Sequence, residues 1–139
     1  MTATPYQQMI FVNLPVDDLD ASKKFFTELG YSINAQFSNE DAASVVISDT
    51  IVAMLLTKSF YSTFTKKEIA DASKASEVIL CLSAESREKV DELVEKAGAA
   101  GGTVSDKVQD PGFMYGRAFD DLDGHTWEVV WMDPAAMEG

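Results

Sequence analysis

The hydrophobic positions of the chain fall into short strand-like runs and two helix-like segments. Residues 9–16, MIFVNLPV, alternate with period two, as in a strand with one face covered. Residues 18–29, DLDASKKFFTEL, instead carry apolar positions at helical spacing and are followed by Gly30, a suitable stop. Three short strand patterns come next, separated by turn-prone residues, at 31–37, 43–48 and 51–57. The first part of the chain therefore predicts the order strand, helix, strand, strand, strand.

The second part repeats this order after a linker. Residues 58–76 are rich in Ser, Thr, Lys and Ala and have a weak helical pattern, which predicts a linker carrying a short helix. EVILCLSA at 77–84 predicts a strand, and the following helical pattern stops at Gly101 and Gly102. Further strand patterns lie at 103–107, 114–119 and 126–132. The repeat concerns the order of elements, because the two halves have few residues in common.

Length, composition and charge narrow the class of protein. A chain of 139 residues with 46% hydrophobic and 24% charged residues matches one globular domain and excludes disordered or collagen-like sequence. The net charge of −12 disfavours nucleic acid and anionic membranes as partners. MTATPYQQ at the start lacks a signal-peptide pattern, and no apolar run is long enough for a membrane span. The one cysteine, Cys81, is expected to pack as an apolar side chain, and we expect a cytoplasmic protein.

Two stretches carry a family resemblance: VDDLDASKKFFTELGY near the start and FMYGRAFDDLDGHTWEVVWMDP near the end. Together with the module order they resemble the vicinal oxygen chelate superfamily, the glyoxalase, bleomycin-resistance and extradiol dioxygenase group. The resemblance implies an α+β fold of two βαβββ modules whose mixed sheet curls around a cavity, and a homodimer. On this basis residues 1–139 form one domain, with module one at 8–57, a linker at 58–76 and module two at 77–133.

Metal-dependent members of the superfamily place one ligand on the first and one on the last strand of each module. Carried over residue by residue, these positions fall on Phe11, Met54, Glu77 and Glu128. Phenylalanine binds no metal, and a thioether is too soft for the ions used in this superfamily. We therefore expect no metal cofactor. The alternative is a divalent ion, Zn, Ni, Mn or Fe, held weakly by Glu77 and Glu128.

Strand alternation assigns faces independently of the resemblance. Phe11 and Asn13 lie opposite the more uniformly apolar face of the first strand, which the helix is expected to cover, so they face the expected cavity. Met54, Ile79 and Glu128 have the same parity in their strands. The candidate ligand-binding residues are Phe11, Asn13, Met54, Leu56, Glu77, Ile79, Phe113, Met114, Tyr115 and Arg117.

Several of these side chains have two interpretations. Glu128 is either a general base or substrate anchor, or a polar residue satisfied by water or by Arg117. Arg117 either clamps a substrate carboxylate or pairs with Asp120 or Asp121. Glu77 can be a solvated strand end. His125 has the opposite parity to Glu128, which favours a role in the turn over metal binding.

Two functions follow from these assignments. The first is a glyoxalase/bleomycin-resistance-like protein that binds a small organic molecule in an apolar cavity without the full metal site. The second is a lyase or isomerase of glyoxalase type, in which Glu128 abstracts a proton next to a carbonyl with the help of a weakly held metal. A third possibility, a purely structural or interaction module, applies if Phe11, Met54 and Met114 fill the cavity.

Overall fold

The structure, a computed structural model, describes residues 5–137 and divides into two compact units at Ile69 and Ala70. The first unit, called the first module below, contains β1 (Ile10–Val16), α1 (Leu19–Glu28), β2 (Ser32–Asn34), a 3-10 turn (Ala35–Phe37), β3 (Ala42–Val46), β4 (Ile51–Thr57) and α2 (Lys58–Tyr61). The second module contains β5 (Ile79–Ser83), α3 (Arg87–Ala99), β6 (Thr103–Val104), β7 (Met114–Asp120), β8 (Thr126–Met132) and α4 (Pro134–Met137). The predicted α+β fold with two βαβββ modules is confirmed.

The two sheets have the same topology. The strand order is β1-β4-β3-β2 in the first and β5-β8-β7-β6 in the second. In each module the first strand runs parallel to the last, and the other pairs are antiparallel. Each sheet is open, and the long helix of the module packs on one side of it. The opposite side of each sheet is called its open face below.

The helix-covered faces hold the cores. In the first module Phe25 and Phe26 of α1 are 1% and 2% exposed and meet edge to face, with ring centroids 5.1 Å apart. In the second module Val90 and Val94 of α3 are fully buried, and Phe119 and Trp127 from the sheet are nearly so. Both helices therefore bury the faces that the sequence periodicity predicts.

The two long helices are capped in the same way. Asp18 and Ser86 precede α1 and α3, and their side-chain oxygens accept the backbone N–H of the residue three positions later, at 3.0 and 3.1 Å. Gly30 and Gly101 follow the helices with φ of 107° and 106°, a region that favours glycine. The repeat in element order extends to the residues that start and stop the helices.

Several element boundaries differ from the prediction. β2 ends at Asn34, because the Asn34 side chain accepts the N–H of Gln36 at 3.0 Å and the chain turns into the 3-10 segment. β6 has two residues, since Ser105 forms a similar turn with the N–H of Lys107. The helix of the predicted linker is confined to Lys58–Tyr61 and directly follows β4. Among residues 5–137, none of the helices has the length and apolar character that crossing a bilayer requires.

Candidate functional site

Glu128 lies in the middle of the open face of the second sheet. It is paired in register with Cys81 on β5 and with Ala118 on β7, so two small side chains flank it on the same face. Glu128 is half-buried, and its carboxylate makes no hydrogen bond or salt bridge to another residue of the described range 5–137. The structure thus leaves an acidic group on a sheet surface without a protein partner.

Cys81 is exposed beside this carboxylate. The expectation that it packs as an apolar side chain is wrong, because the open face of β5 has no helix above it. Partial burial of the thiol and then the negative charge of Glu128 raise the pKa of Cys81. The thiol therefore stays protonated and offers a weak hydrogen-bond donor on this face.

The remainder of the open face combines hydroxyl groups with apolar side chains. Asp120 lies one register step from Glu128 and accepts the hydroxyl of Thr126 at 2.8 Å. Ile79 and Met132 are 53% and 41% exposed, which is unusual for strand residues of this size. The surface around Glu128 is made of Ile79, Cys81, Ser83, Met114, Gly116, Ala118, Asp120, Thr126, Val130 and Met132.

Gly116 has no side chain, which leaves room on the open face for the side chains of Val130 and Met114. A Cβ atom at Gly116 would lie 3.3 Å from Cγ2 of Val130, a tight contact, and 3.5 Å from Cε of Met114, an ordinary van der Waals contact. The space above the backbone of Gly116 is thus taken by the side chains of Val130 and Met114. These two residues form the apolar part of the face beside Glu128.

On the open face of the first sheet, the strand residues at and beside the position of Met54, which corresponds to Glu128, are all uncharged. Asn13 is paired in register with Met54, and Met54 with Ser44 on β3. Phe11 is 57% exposed one step away, whereas Leu56 is 2% exposed. The predicted residues Phe11, Asn13, Met54 and Leu56 do share this face, and their chemistry is apolar or neutral.

Arg117 and Tyr115 lie on the helix-covered face of β7 and are therefore not part of the open face. Arg117 donates to Asp91 at 3.0 Å and to Glu95 at 2.9 Å, both on α3. The Tyr115 hydroxyl donates to the same oxygen of Asp91 at 2.7 Å. The predicted pairing of Arg117 with Asp120 or Asp121 is wrong, because alternation along β7 places Asp120 on the other face.

The hydrogen bonds around Asp91 shift the pKa of Asp91 and the pKa of Tyr115. The hydrogen bond from Tyr115, followed by Arg117, lowers the pKa of Asp91 in spite of some desolvation. The same bond to Asp91 raises the pKa of Tyr115. The network joins α3 to β7 and serves the packing of the helix.

Phe113 lies in a loop that Arg87 holds against α3. The Arg87 guanidinium stacks between the rings of Tyr115 and Trp131 at 5.2 and 5.1 Å from their centroids. It also pairs with Asp110 at 2.9 Å and donates to the carbonyl of Gly112 at 3.3 Å. Phe113 next to this contact is 51% exposed.

The comparisons with known proteins agree with this geometry. A family model described as bleomycin resistance protein-like N-terminal matches residues 8–48. A hypothetical protein from S. aureus is similar at 29% identity, with 92% of this chain and 95% of that chain covered and a TM-score of 0.75. A glyoxalase/bleomycin resistance protein/dioxygenase family enzyme from Burkholderia phytofirmans PsJN is similar at 16% identity, covering 91% and 99%, with a TM-score of 0.76. The chain has the fold of the glyoxalase/bleomycin resistance proteins.

Other relatives with this fold include enzymes of known type. A lactoylglutathione lyase from Agrobacterium tumefaciens has a TM-score of 0.65 at 18% identity, with 92% of this chain and 96% of that chain covered. No curated protein matches the sequence significantly. The predicted resemblance to the vicinal oxygen chelate superfamily is confirmed by the family model and by the shared fold.

Four positions carry the metal ligands in the superfamily, and the strand register assigns one of them to a different residue than the sequence predicts. Glu77 is exposed and lies two residues before β5, so it is not the strand residue that the sequence suggested. Phe11 lies two residues before Asn13, the partner of Met54, and Ile79 lies two residues before Cys81, the partner of Glu128. By this register Ile79 is the counterpart of Phe11. Glu77 is four residues from Cys81, about 13 Å along an extended chain, so it lies far from Glu128.

The residues at these positions do not fit the divalent metal centre of the superfamily. With Ile79 in place of Glu77, the set is Phe11, Met54, Ile79 and Glu128. One carboxylate is left among three side chains that cannot ligate a hard or borderline ion. No chemical step through a metal follows from this set.

A second group of polar side chains lies in the turn between β7 and β8. Ligand atoms of Asp121, Asp123 and His125 lie within 4.8 Å of one another. Asp121 is buried, and its oxygens accept the backbone N–H groups of Asp123 and His125 and the indole N–H of Trp127, at 3.0 to 3.1 Å. Burial raises the pKa of Asp121, against the opposing effect of nearby His125. These bonds commit Asp121 to the turn.

Gly124 completes this turn. It has φ of 89°, and a Cβ atom there would lie 2.8 Å from the backbone N and Cα of Ser73. The segment around Ser73, which Asp71 caps with hydrogen bonds of 3.0 and 2.6 Å, therefore packs directly on the turn. This packing explains the glycine of the Asp-Gly-His sequence.

Sequence reasoning missed Asp120 as a neighbour of Glu128 and misjudged the exposure of Cys81. The alternation of β7 carries the signal for Asp120, since it lies two residues from Ala118, the strand partner of Glu128. The exposure of Cys81 is a tertiary property and has no signal in the apolar run VILCL.

Proposed function

We propose that this protein binds a small organic molecule on the open face of the second module, around Glu128, and does so without a metal. One observation carries the proposal: Glu128 is a half-buried residue whose carboxylate makes no hydrogen bond or salt bridge within the described range 5–137, on a face with exposed Ile79 and Met132. Partial burial of an unpaired carboxylate costs free energy, which a bound partner recovers. Apolar side chains beside a polar anchor are typical of ligand sites.

The methionine methyl groups provide a direct test. Met114 and Met132 lie on the open face, whereas Met9 precedes β1 in the other module. We expect a panel of neutral aromatic fragments to produce saturable NMR shifts at the methyls of Met114 and Met132 and none at Met9. Ala118→Phe, which places a ring beside Glu128, should abolish these shifts and retain the folded spectrum. A panel without a hit at these methyls would contradict the proposal.

The absence of a metal requirement is tested separately. We expect purified untagged protein to contain no stoichiometric transition metal by elemental analysis, and its Tm to be indifferent to chelator. Hemithioacetal isomerisation in the presence of Ni, Zn or Mn should not exceed background, because Glu128 is the one carboxylate left at the family positions. A metal-dependent rate would favour the glyoxalase-type lyase in place of the binding protein.

We also propose that the protein is a homodimer in the cytoplasm. The superfamily resemblance supports the dimer, and the single cysteine supports a reducing compartment. Light scattering of the purified chain would measure the mass of the particle, and a mass of 15.2 kDa would identify a monomer.

A further inference from the structure

We propose that the open face of the second module selects a small organic cation, an amine whose ammonium group pairs with Glu128 while its apolar part lies on Val130 and Met114. This inference rests on the proposed function and adds the charge of the ligand to it. It follows from the placement of acidic and basic side chains in the second sheet.

The strands of the second sheet contain one basic residue, Arg117. Its side chain lies on the helix-covered face, where Asp91 and Glu95 accept its hydrogen bonds at 3.0 and 2.9 Å. It is 15% exposed and held by two carboxylates, so it does not serve as a counter-charge for the opposite face. An anionic ligand on the open face would find no guanidinium or ammonium group on these strands.

The same face carries two acidic residues. Glu128 has no partner in the described range, and Asp120 is one register step away with a single hydroxyl bond from Thr126. The two negative charges lie on a sheet that partly excludes water, where charge pairing is stronger than in bulk solvent. A cationic ligand would relieve this unpaired charge, and an anionic one would add to it.

The surroundings of Glu128 leave room for such a ligand. Cys81 and Ala118 are its small register partners, Val130 is the next residue of β8 on the same face, and the Met114 methyl lies beside Gly116, the register partner of Val130. Methionine adapts its shape to an apolar ligand at low cost. An amine with a compact ring matches this combination of one half-buried acidic residue and an apolar surface beside it.

Three compounds with one ring and different charges test the inference: 1-naphthylmethylamine, 1-naphthylmethanol and 1-naphthoate, titrated by calorimetry and by the Met114 and Met132 methyl signals. The amine should bind roughly tenfold or more tightly than the alcohol, as expected for a charged hydrogen bond, and the naphthoate most weakly. Added salt should weaken binding of the amine and leave the alcohol unchanged.

Two variants locate the charge. Glu128→Gln should bring the amine to the affinity of the alcohol, and Asp120→Asn should reduce its affinity by a smaller factor. Glu88→Gln on α3 changes the net charge equally but is exposed at the start of the helix, and should have no effect. Circular dichroism checks that each variant is folded. If Glu128→Gln does not fold, the relative affinities of the three compounds for the unaltered protein show whether the face prefers a cation.

The outcomes distinguish an error in the charge of the ligand from an error in the proposed function. If naphthoate binds as tightly as the amine, or if folded Glu128→Gln retains the affinity for the amine, the charge inference is wrong while binding on the face stands. If none of the three compounds binds and the neutral fragments also leave Met114 and Met132 unshifted, the proposed function is wrong as well.

Discussion

The two modules have the same topology but differ in where they place charge. In the first module the buried polar residues are two serines, Ser22 and Ser44, and the open face of the sheet is neutral in the register rows of Phe11 and Met54. In the second module Asp121 is buried in a turn, and Glu128 lies on the open face. One βαβββ template therefore supports a sheet face that is neutral in these rows and a sheet face that carries a carboxylate.

This difference shows that the repeat conserves the helix core and its caps while the open faces diverge. Asp18 and Ser86 cap the two helices, and Gly30 and Gly101 end them. Buried cores and helix caps contribute to stability, whereas Glu128 on the open face makes no hydrogen bond or salt bridge within residues 5–137 that would do so. If this is so, substitutions on the helix-covered faces should lower the free energy of unfolding more than substitutions on the open faces.

The largest expected effect is the loss of a core ring. Phe26→Ala in the first module and Phe119→Ala in the second should each lower the free energy of unfolding by about 3–5 kcal/mol, because both side chains are almost fully buried. Phe11→Ala on the open face, where the ring is 57% exposed, should cost less than about 1 kcal/mol. Urea denaturation measures all three. Equal losses for Phe11 and Phe26 would show that the two faces of the first sheet are not distinct.

The buried acid of the second module should have an intermediate effect. Asp121→Asn leaves one oxygen for three donors, so Trp127 or the backbone N–H groups of Asp123 and His125 lose an acceptor, at a cost of about 1–3 kcal/mol near neutral pH. Because burial raises the pKa of Asp121, the folded state holds the proton more tightly than the unfolded state. This contribution to stability is present below the ordinary value of 3.8 and is lost as the pH rises through the folded pKa.

The pH series gives this prediction a matched control. The stability of the unaltered protein relative to Asp121→Asn should decline as the pH rises from about 3. Asp91 has the opposite sign, since Tyr115 and Arg117 lower its pKa: its contribution is present above the unfolded value and is lost as the pH falls. The stability relative to Asp91→Asn should therefore increase with pH. Parallel profiles for the two variants would contradict the assigned environments.

The smallest expected effect concerns the Arg87 contact, which is specific to the second module. Arg87→Ala removes the stacking on Tyr115 and Trp131 and the salt bridge to Asp110, at a cost of about 1 kcal/mol. Hydrogen exchange of residues 108–113 should become faster. Lys96→Ala, which removes an exposed salt bridge to Glu92 on the same helix, should cost about 0.3–0.5 kcal/mol and leave the loop unchanged.

Much of the fold is predictable from the sequence, because burial of one face imposes a period on each element. The spacing of Phe25 and Phe26 identifies the buried side of α1, and period-two alternation assigns Phe11 and Glu128 to the open faces. The glycines after the helices mark their ends, since a positive φ there restricts the residue type.

The candidate site is less predictable, because register and boundaries depend on neighbouring strands. The pattern of the run EVILCLSA does not show that β5 begins at Ile79, and so it predicts Glu77 in place of Ile79. The position of Arg117 depends on Asp91 and Glu95, more than twenty residues away, which nothing in the strand sequence indicates. The pattern of a single strand therefore predicts which side chains share a face. The register with neighbouring strands and the contacts with helices determine which of them lie close together.

The contact between Gly124 and Ser73 has a consequence for how such sequences are compared. The glycine of the Asp-Gly-His stretch is required because the backbone of another segment lies 2.8 Å from where a side chain would start. Asp121 beside it is occupied by Trp127 and the turn. A search pattern that scores these letters therefore detects chains in which this turn packs against a neighbouring segment, and it carries no information about the residue at the position of Glu128, four residues after Gly124.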